Sequence, residues 1–157
     1  MHIWNTKALA HELAQNALTQ RQYKNYYLGT ALLISALYYY AMYSPYYNPA
    51  VILFEGVLTI IIMLFGINRA YQINGAEQGE FFIQRITALS FPIMLQTSVA
   101  GIIFALLLLN IFDIFNLSIF WLDVWYEWCV SAFTVLLQVI FFVRLSKYMH
   151  RVAQHQI

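Results

Sequence analysis

The stretch PAVILFEGVLTIIIMLFGINR, residues 49–69, decides the fold class of this chain. Pro49 is well placed to begin a helix, and Glu55 is the only charged side chain before the terminal Arg69. A helix over residues 49–67 rises about 1.5 Å per residue, which is just enough to cross roughly 30 Å of hydrocarbon. The stretch therefore predicts a membrane-spanning helix whose inner end is marked by Arg69.

Three further apolar runs surround this one, and they predict spans over residues 26–43, 91–112 and 122–143. Tyrosines mark both ends of the first run, as is typical of membrane–water interfaces. The chain is 62% hydrophobic and 10% charged, whereas soluble domains carry about 25% charged residues. We therefore predict an all-α integral membrane protein, a four-helix antiparallel bundle in which residues 1–157 form a single membrane domain.

The positive charges predict how this bundle is oriented. All of them lie before the first run, between the second and third, or after the fourth. Cationic side chains stay on the cytoplasmic side during insertion, so residues 1–24 and 144–157 are predicted to be cytoplasmic. The cationic residues are Lys7, Arg21, Lys24, Arg69, Arg85, Arg144, Lys147 and Arg151.

The N-terminal segment predicts one further helix, over residues 5–22. Asn5 or Thr6 could cap its start, and no Gly or Pro interrupts it. Its apolar positions recur on one face, which favours an N-terminal interfacial helix lying on the cytoplasmic leaflet. The alternative is a short solvated helix. The apolar positions are Leu9, Leu13 and Ala17.

The cytoplasmic connection over residues 70–90 predicts a turn at Asn74-Gly75 and a short second helix beginning at Gly79. In that helix Arg85 is expected to face water.

Pro92 leaves two interpretations of the third span. One long helix over residues 83–112 would contain the proline and be kinked by it. Alternatively, an interfacial helix ends near Ser90 and the span covers residues 91–112. We favour the second, because proline fits easily into the first turn of a helix.

Carboxylates are the main candidates for chemistry. Glu55 lies within a span, where a lone charge is costly, and Glu127 and Asp123 are placed near the outer end of the last span. Such a group could take up a proton or hold a hard cation through oxygen ligands, so these three form a candidate proton or cation site. The alternative is that the outer carboxylates face water and Glu55 is protonated or hydrogen-bonded.

Small and polar residues within the spans predict helix contacts. Gly101 and Ala105 have the spacing of a small-xxx-small pair. Gln96 and Gln138 could line a substrate path, but such side chains more often hydrogen-bond between helices.

Several kinds of chemistry are not expected, because the residues or motifs that they require are missing from the sequence. Every histidine lies in a terminal segment, so haem ligation by a histidine pair in the bilayer is not expected. The lone Cys129 excludes an internal disulfide. No hydrolase, kinase or dinucleotide motif is present, so we predict no catalytic, cofactor-binding or metal residues. The chain has no basic globular patch that would indicate nucleic-acid binding.

The pattern R-x4-NG-x3-G-x2-F-x2-R-x3-L, residues 69–89, is similar to one in small bacterial four-span inner-membrane proteins. The resemblance implies a bacterial inner membrane and no particular activity.

Three functions remain open at this point. The first is a non-enzymatic accessory or scaffold subunit of a membrane complex, or a homo-oligomer, whose partners are the bilayer and other membrane chains or further copies. The second is a small proton- or cation-coupled transporter or channel using Glu55. The third is a lipid- or quinone-binding protein with an aromatic groove between Tyr38 and Tyr47.

Overall fold

The computed structural model describes residues 2–42, 48–114 and 119–154, apart from the side chains at 40–42, 109, 112–114 and 119–124. All regular structure within these ranges is helical. The elements are α1 (Thr6–Ala14), α2 (Gln20–Met42), α3 (Pro49–Ile73), a short 3-10 helix (Ala76–Gln78), α4 (Phe82–Ile114) and α5 (Ile119–Gln154).

Three helical segments in these ranges are long and apolar enough to cross a membrane: Pro49–Ile73, Phe82–Leu108 and Trp125–Gln154. The prediction of an all-helical chain with membrane-type helices is confirmed to that extent. The predicted first span falls within α2, which is 23 residues long but begins with the polar turn QRQYKN and is not among the three.

The predicted single helix over residues 5–22 is wrong, because the chain breaks it after Ala14. Asn16 adopts a left-handed φ of 50°. Its N–H donates to the Leu13 carbonyl, and the Ala17 N–H donates to the Glu12 carbonyl. This is the Schellman arrangement that ends many helices, with asparagine in the place that glycine usually takes.

Thr19 then starts α2. Its backbone N–H donates to Gln22 Oε1 at 2.7 Å, and the Gln22 N–H donates to Thr19 Oγ1 at 3.3 Å. This reciprocal pair is a capping box, readable in the sequence as T-x-x-Q. The predicted cap of α1 at Asn5 is confirmed, since its side chain accepts from the Ala8 N–H at 3.0 Å.

Helix α4 continues through Pro92 without interruption. A separate helix beginning at residue 91 or 92 was the favoured prediction, and it is wrong. The proline lacks an N–H and removes one hydrogen bond from the helix. Its ring and the side chains of Leu89 and Ile93 are fully buried, so tertiary packing holds the helix together where local preference would end it.

The helices pack as an open row in the order α3, α5, α4, α2, and α1 lies against α4 and α5. Helices α3 and α5 run in the same direction. Thr59 of α3 contacts Gln138 of α5, and further along both helices Gly66 lies against Phe142. Among the residues that the structure describes, α2 and α3 make no extensive contact with each other. Each end helix of the row therefore has one main packing partner.

Most of the fully buried side chains lie in one cluster against α1, where α2 and α4 begin and α3 and α5 end. Leu9 and Leu13 share this core with Leu145 and Met149 of α5, whereas Ala17, the third member of the predicted stripe, is exposed. The apolar face of α1 is thus covered by protein. The segment predicted to be a cytoplasmic tail, residues 144–157, is helical as far as Gln154 and contributes Leu145, Met149 and Val152 to this core.

Candidate functional site

The two described candidate carboxylates lie on the contact between α3 and α5, which we call the α3–α5 seam. Glu127 is at the end of the seam where α3 begins, and its Oε2 accepts a hydrogen bond from the Asn48 backbone N–H at 3.0 Å. Asn48 in turn caps α3 by accepting from the Ala50 N–H at 2.9 Å. A carboxylate at a helix N-terminus is stabilised by the helix dipole, so Glu127 has a structural role.

Glu55 lies deeper on the same seam and is half-buried. Its carboxyl group lies beside the hydroxyl of Ser131, which is buried and has no closer hydrogen-bond partner among the described atoms. Ser131 follows Glu127 by one helical turn, so the two acids are separated along the seam by roughly 6 Å of helix rise. The arrangement can hold a proton at Glu55, next to the Ser131 hydroxyl.

The third candidate, Asp123, belongs to the first turns of α5, and its side chain lies outside the described residues. Within the part of the chain that the structure describes, no group of three or more His, Cys, Asp or Glu side chains could hold a metal ion.

The two glutamines join elements. Gln138 Nε2 donates to Thr59 Oγ1 at 2.9 Å, which connects α5 to α3. Gln96 Nε2 donates to the Trp4 carbonyl at 2.6 Å, and Gln96 Oε1 accepts from Arg144 Nη2. Gln96 therefore ties the N-terminal segment, α4 and α5 together.

Of the small residues, Gly101 approaches α5, since a Cβ there would lie 3.2 Å from Leu137 Cδ1. Ala105 is half-buried. The sequence analysis missed a closer approach between α3 and α5: a side chain at Gly66 would collide with the Phe142 ring. The presence of a glycine in an apolar helix could have indicated this close helix contact.

Arg85 is 1% exposed, so the prediction that it faces water is wrong. Its Nη1 donates to Asn74 Oδ1 at 2.8 Å. Asn74 ends α3, and its Nδ2 donates to the Glu80 carbonyl at 3.2 Å. Burial raises the pKa of the Tyr23 hydroxyl, and the nearby Arg85 guanidinium opposes that rise. The guanidinium thus lies beside residues of α2, α3 and α4, and its hydrogen bond to Asn74 offsets part of the cost of burying it.

Most other members of the pattern over residues 69–89 also have an internal structural role. Gly75 has φ of 100°, which confirms the predicted turn. A side chain at Gly79 would collide with the Asn74 carbonyl. The Phe82 ring packs edge-on against Tyr71 with centroids 5.3 Å apart. Arg69 differs from these, because its side chain is exposed.

The aromatic groove expected between Tyr38 and Tyr47 is described only at its start. Tyr38 and Tyr39 are exposed on α2 and pack edge-on against each other at 5.9 Å. Residues 43–47 lie outside the described ranges.

Comparison of the chain with protein-family models, with curated proteins and with solved structures gives no match. The resemblance of residues 69–89 to bacterial inner-membrane proteins stays a prediction.

Proposed function

We propose that this protein is a four-span antiparallel membrane protein of the bacterial inner membrane, with both termini in the cytoplasm, and that it acts as a non-enzymatic assembly subunit. The proposal is that it associates laterally with other membrane chains or with further copies of itself. The orientation is supported by Lys7 and Lys147, because they belong to α1 and to the last turns of α5, which meet in the buried core.

The main support for lateral assembly is the open arrangement of the helices, which leaves much of α3 uncovered. Helix α3 packs mainly on α5, and most of its large apolar side chains are exposed, among them Leu53 (70% accessible) and Ile60 (54%), each about one turn from Gly56. On the same helix a Cβ at Gly56 would meet nothing within 4 Å. An exposed glycine lets a second helix approach closely, and van der Waals packing of this kind drives helix association in lipid.

The test is native mass spectrometry of the protein released from mild detergent, compared with a Gly56→Leu variant. We expect wild-type protein to appear with a second chain or as an oligomer. The larger side chain is expected to weaken that association by roughly tenfold or more, because overpacking a close helix contact costs about 1–3 kcal/mol.

A matched control is Phe65→Leu. Residues 56 and 65 lie on opposite sides of α3, since nine residues correspond to two and a half helical turns. The control should associate like wild type. Wild-type protein that is monomeric at all concentrations, or Gly56→Leu that assembles normally, would contradict the proposal.

A second candidate, a small proton- or cation-coupled transporter or channel, is favoured by one observation. Glu55 is half-buried on the seam beside Ser131, with Glu127 one turn further out on α5. Intramembrane carboxylates in such positions commonly relay protons or bind the coupling ion.

This candidate predicts that Glu55→Gln abolishes pH-dependent flux in proteoliposomes while the native mass is unchanged, because an amide cannot take up or release the proton. Glu77→Gln is the matched control, since Glu77 is exposed in the cytoplasmic connection. Wild-type flux equal to that of empty liposomes, or full flux in Glu55→Gln, would reject the transporter.

A further inference from the structure

A groove of about 740 Å³ runs along one face of the contact between α3 and α5. Over most of its length the groove has apolar walls from both helices: Ile62 and Phe65 on α3, Val139 and Val143 on α5. These residues belong to the helical segments that are apolar enough to span a membrane. An acyl chain lying in this groove would contact apolar side chains of both helices at once.

The other end of the groove is cationic. Arg69 of α3 and Lys147 of α5 line it together with His150, and no described lining residue is acidic. Both cationic side chains are exposed, and neither has a hydrogen bond or ion pair with any described residue. Their guanidinium and ammonium donors are therefore available to a ligand.

We propose that this groove is a binding site for one anionic phospholipid of the surrounding inner leaflet. Its phosphate lies between Arg69 and Lys147, and one acyl chain lies between Phe65 and Val139. The charge complementarity selects an anionic headgroup, and the apolar walls select a lipid over a soluble phosphate. Basic pockets between membrane helices on the cytoplasmic side are suited to such headgroups.

The position of the cationic end fits the bilayer boundary. Arg69 directly follows the predicted span over residues 49–67, and Lys147 follows the one over residues 122–143. A phosphate at that level would be at headgroup depth while its chain extends along the apolar walls. The inference rests on membrane insertion of α3 and α5 and is independent of lateral assembly.

The experiment titrates the full chain with phosphatidylglycerol or phosphatidylcholine in detergent and counts bound lipids by native mass spectrometry. We expect wild type to prefer phosphatidylglycerol. In Arg69→Gln/Lys147→Gln, phosphatidylglycerol binding should weaken roughly thirtyfold, the effect of losing two charges at a membrane surface. Excess inorganic phosphate should not displace the lipid.

The matched control is Lys7→Gln/Arg21→Gln, which removes two exposed positive charges from the predicted cytoplasmic side but away from the groove. It should bind phosphatidylglycerol like wild type. Val139→Phe keeps both charges and narrows the groove, and it should weaken binding roughly tenfold. Circular dichroism and thermal melting in detergent check that each variant is folded.

Three results would overturn the proposal: equal binding of phosphatidylcholine and phosphatidylglycerol, wild-type affinity in Arg69→Gln/Lys147→Gln, or displacement by inorganic phosphate alone. An equal loss in the Lys7→Gln/Arg21→Gln control would overturn it as well, since the effect would then be nonspecific charge attraction. A monomeric native mass would reject lateral assembly and leave the lipid site standing.

Discussion

Leu13→Ala is expected to lower the free energy of unfolding by about 2–5 kcal/mol, the range measured for buried leucines. Leu13 has no exposed surface and shares a core with Leu145 and Met149 at the far end of the chain. Truncating it leaves a cavity among three helices. The measurement is denaturant unfolding in detergent, followed by circular dichroism.

Ala17→Ser is the control for this effect, because Ala17 falls on the same predicted stripe but is exposed. Its free energy of unfolding should stay within roughly 0.5 kcal/mol of wild type. If the apolar face of α1 instead lies on lipid, Leu13→Ala will behave like this control and change only the partitioning of the N-terminal segment.

Asn74→Leu is expected to destabilise the protein by about 3 kcal/mol, because the buried Arg85 guanidinium loses its hydrogen-bond acceptor. Leucine is close to asparagine in size, so lost packing contributes little. The variant also removes the hydrogen bond that the Asn74 amide donates to the Glu80 carbonyl in the wild-type protein. Thermal melting in detergent reports the loss.

Asn74→Asp separates the two contributions. It keeps an oxygen acceptor for Arg85, with added charge attraction, and loses only the donor to Glu80. We expect it to retain most of the stability that Asn74→Leu loses. Equal destabilisation by both variants would mean that the guanidinium contact contributes little.

Hydropathy sufficed to predict α3, α4 and α5 because each contains a long and predominantly apolar segment. The start of α3 could also be predicted, since Pro49 follows the capping residue Asn48. Pro92 could not be resolved in this way: local preference argues for a break, and the burial of Ile93 and its neighbours outweighs it.

The candidate site could be predicted only as a set of residue types. The sequence alone predicts Glu55 as an acid within a long apolar helix, but its contact with Ser131 depends on the register between α3 and α5. Arg85 was misplaced for a similar reason. A charged residue in a short connection usually faces water, and its burial depends on Asn74 reaching it from another helix.

The shared core of α1 and the last turns of α5 has a consequence for synthesis. Leu9 emerges from the ribosome well before Met149, because the two residues are separated by most of the helical chain, so they cannot meet until α5 has been translated. At about 5–20 residues per second the wait is on the order of ten seconds. During that time the α5 side chains that cover the apolar face of α1 are missing. We therefore expect α1 to lie at the membrane surface, the interfacial position that the sequence favours, until α5 has been made.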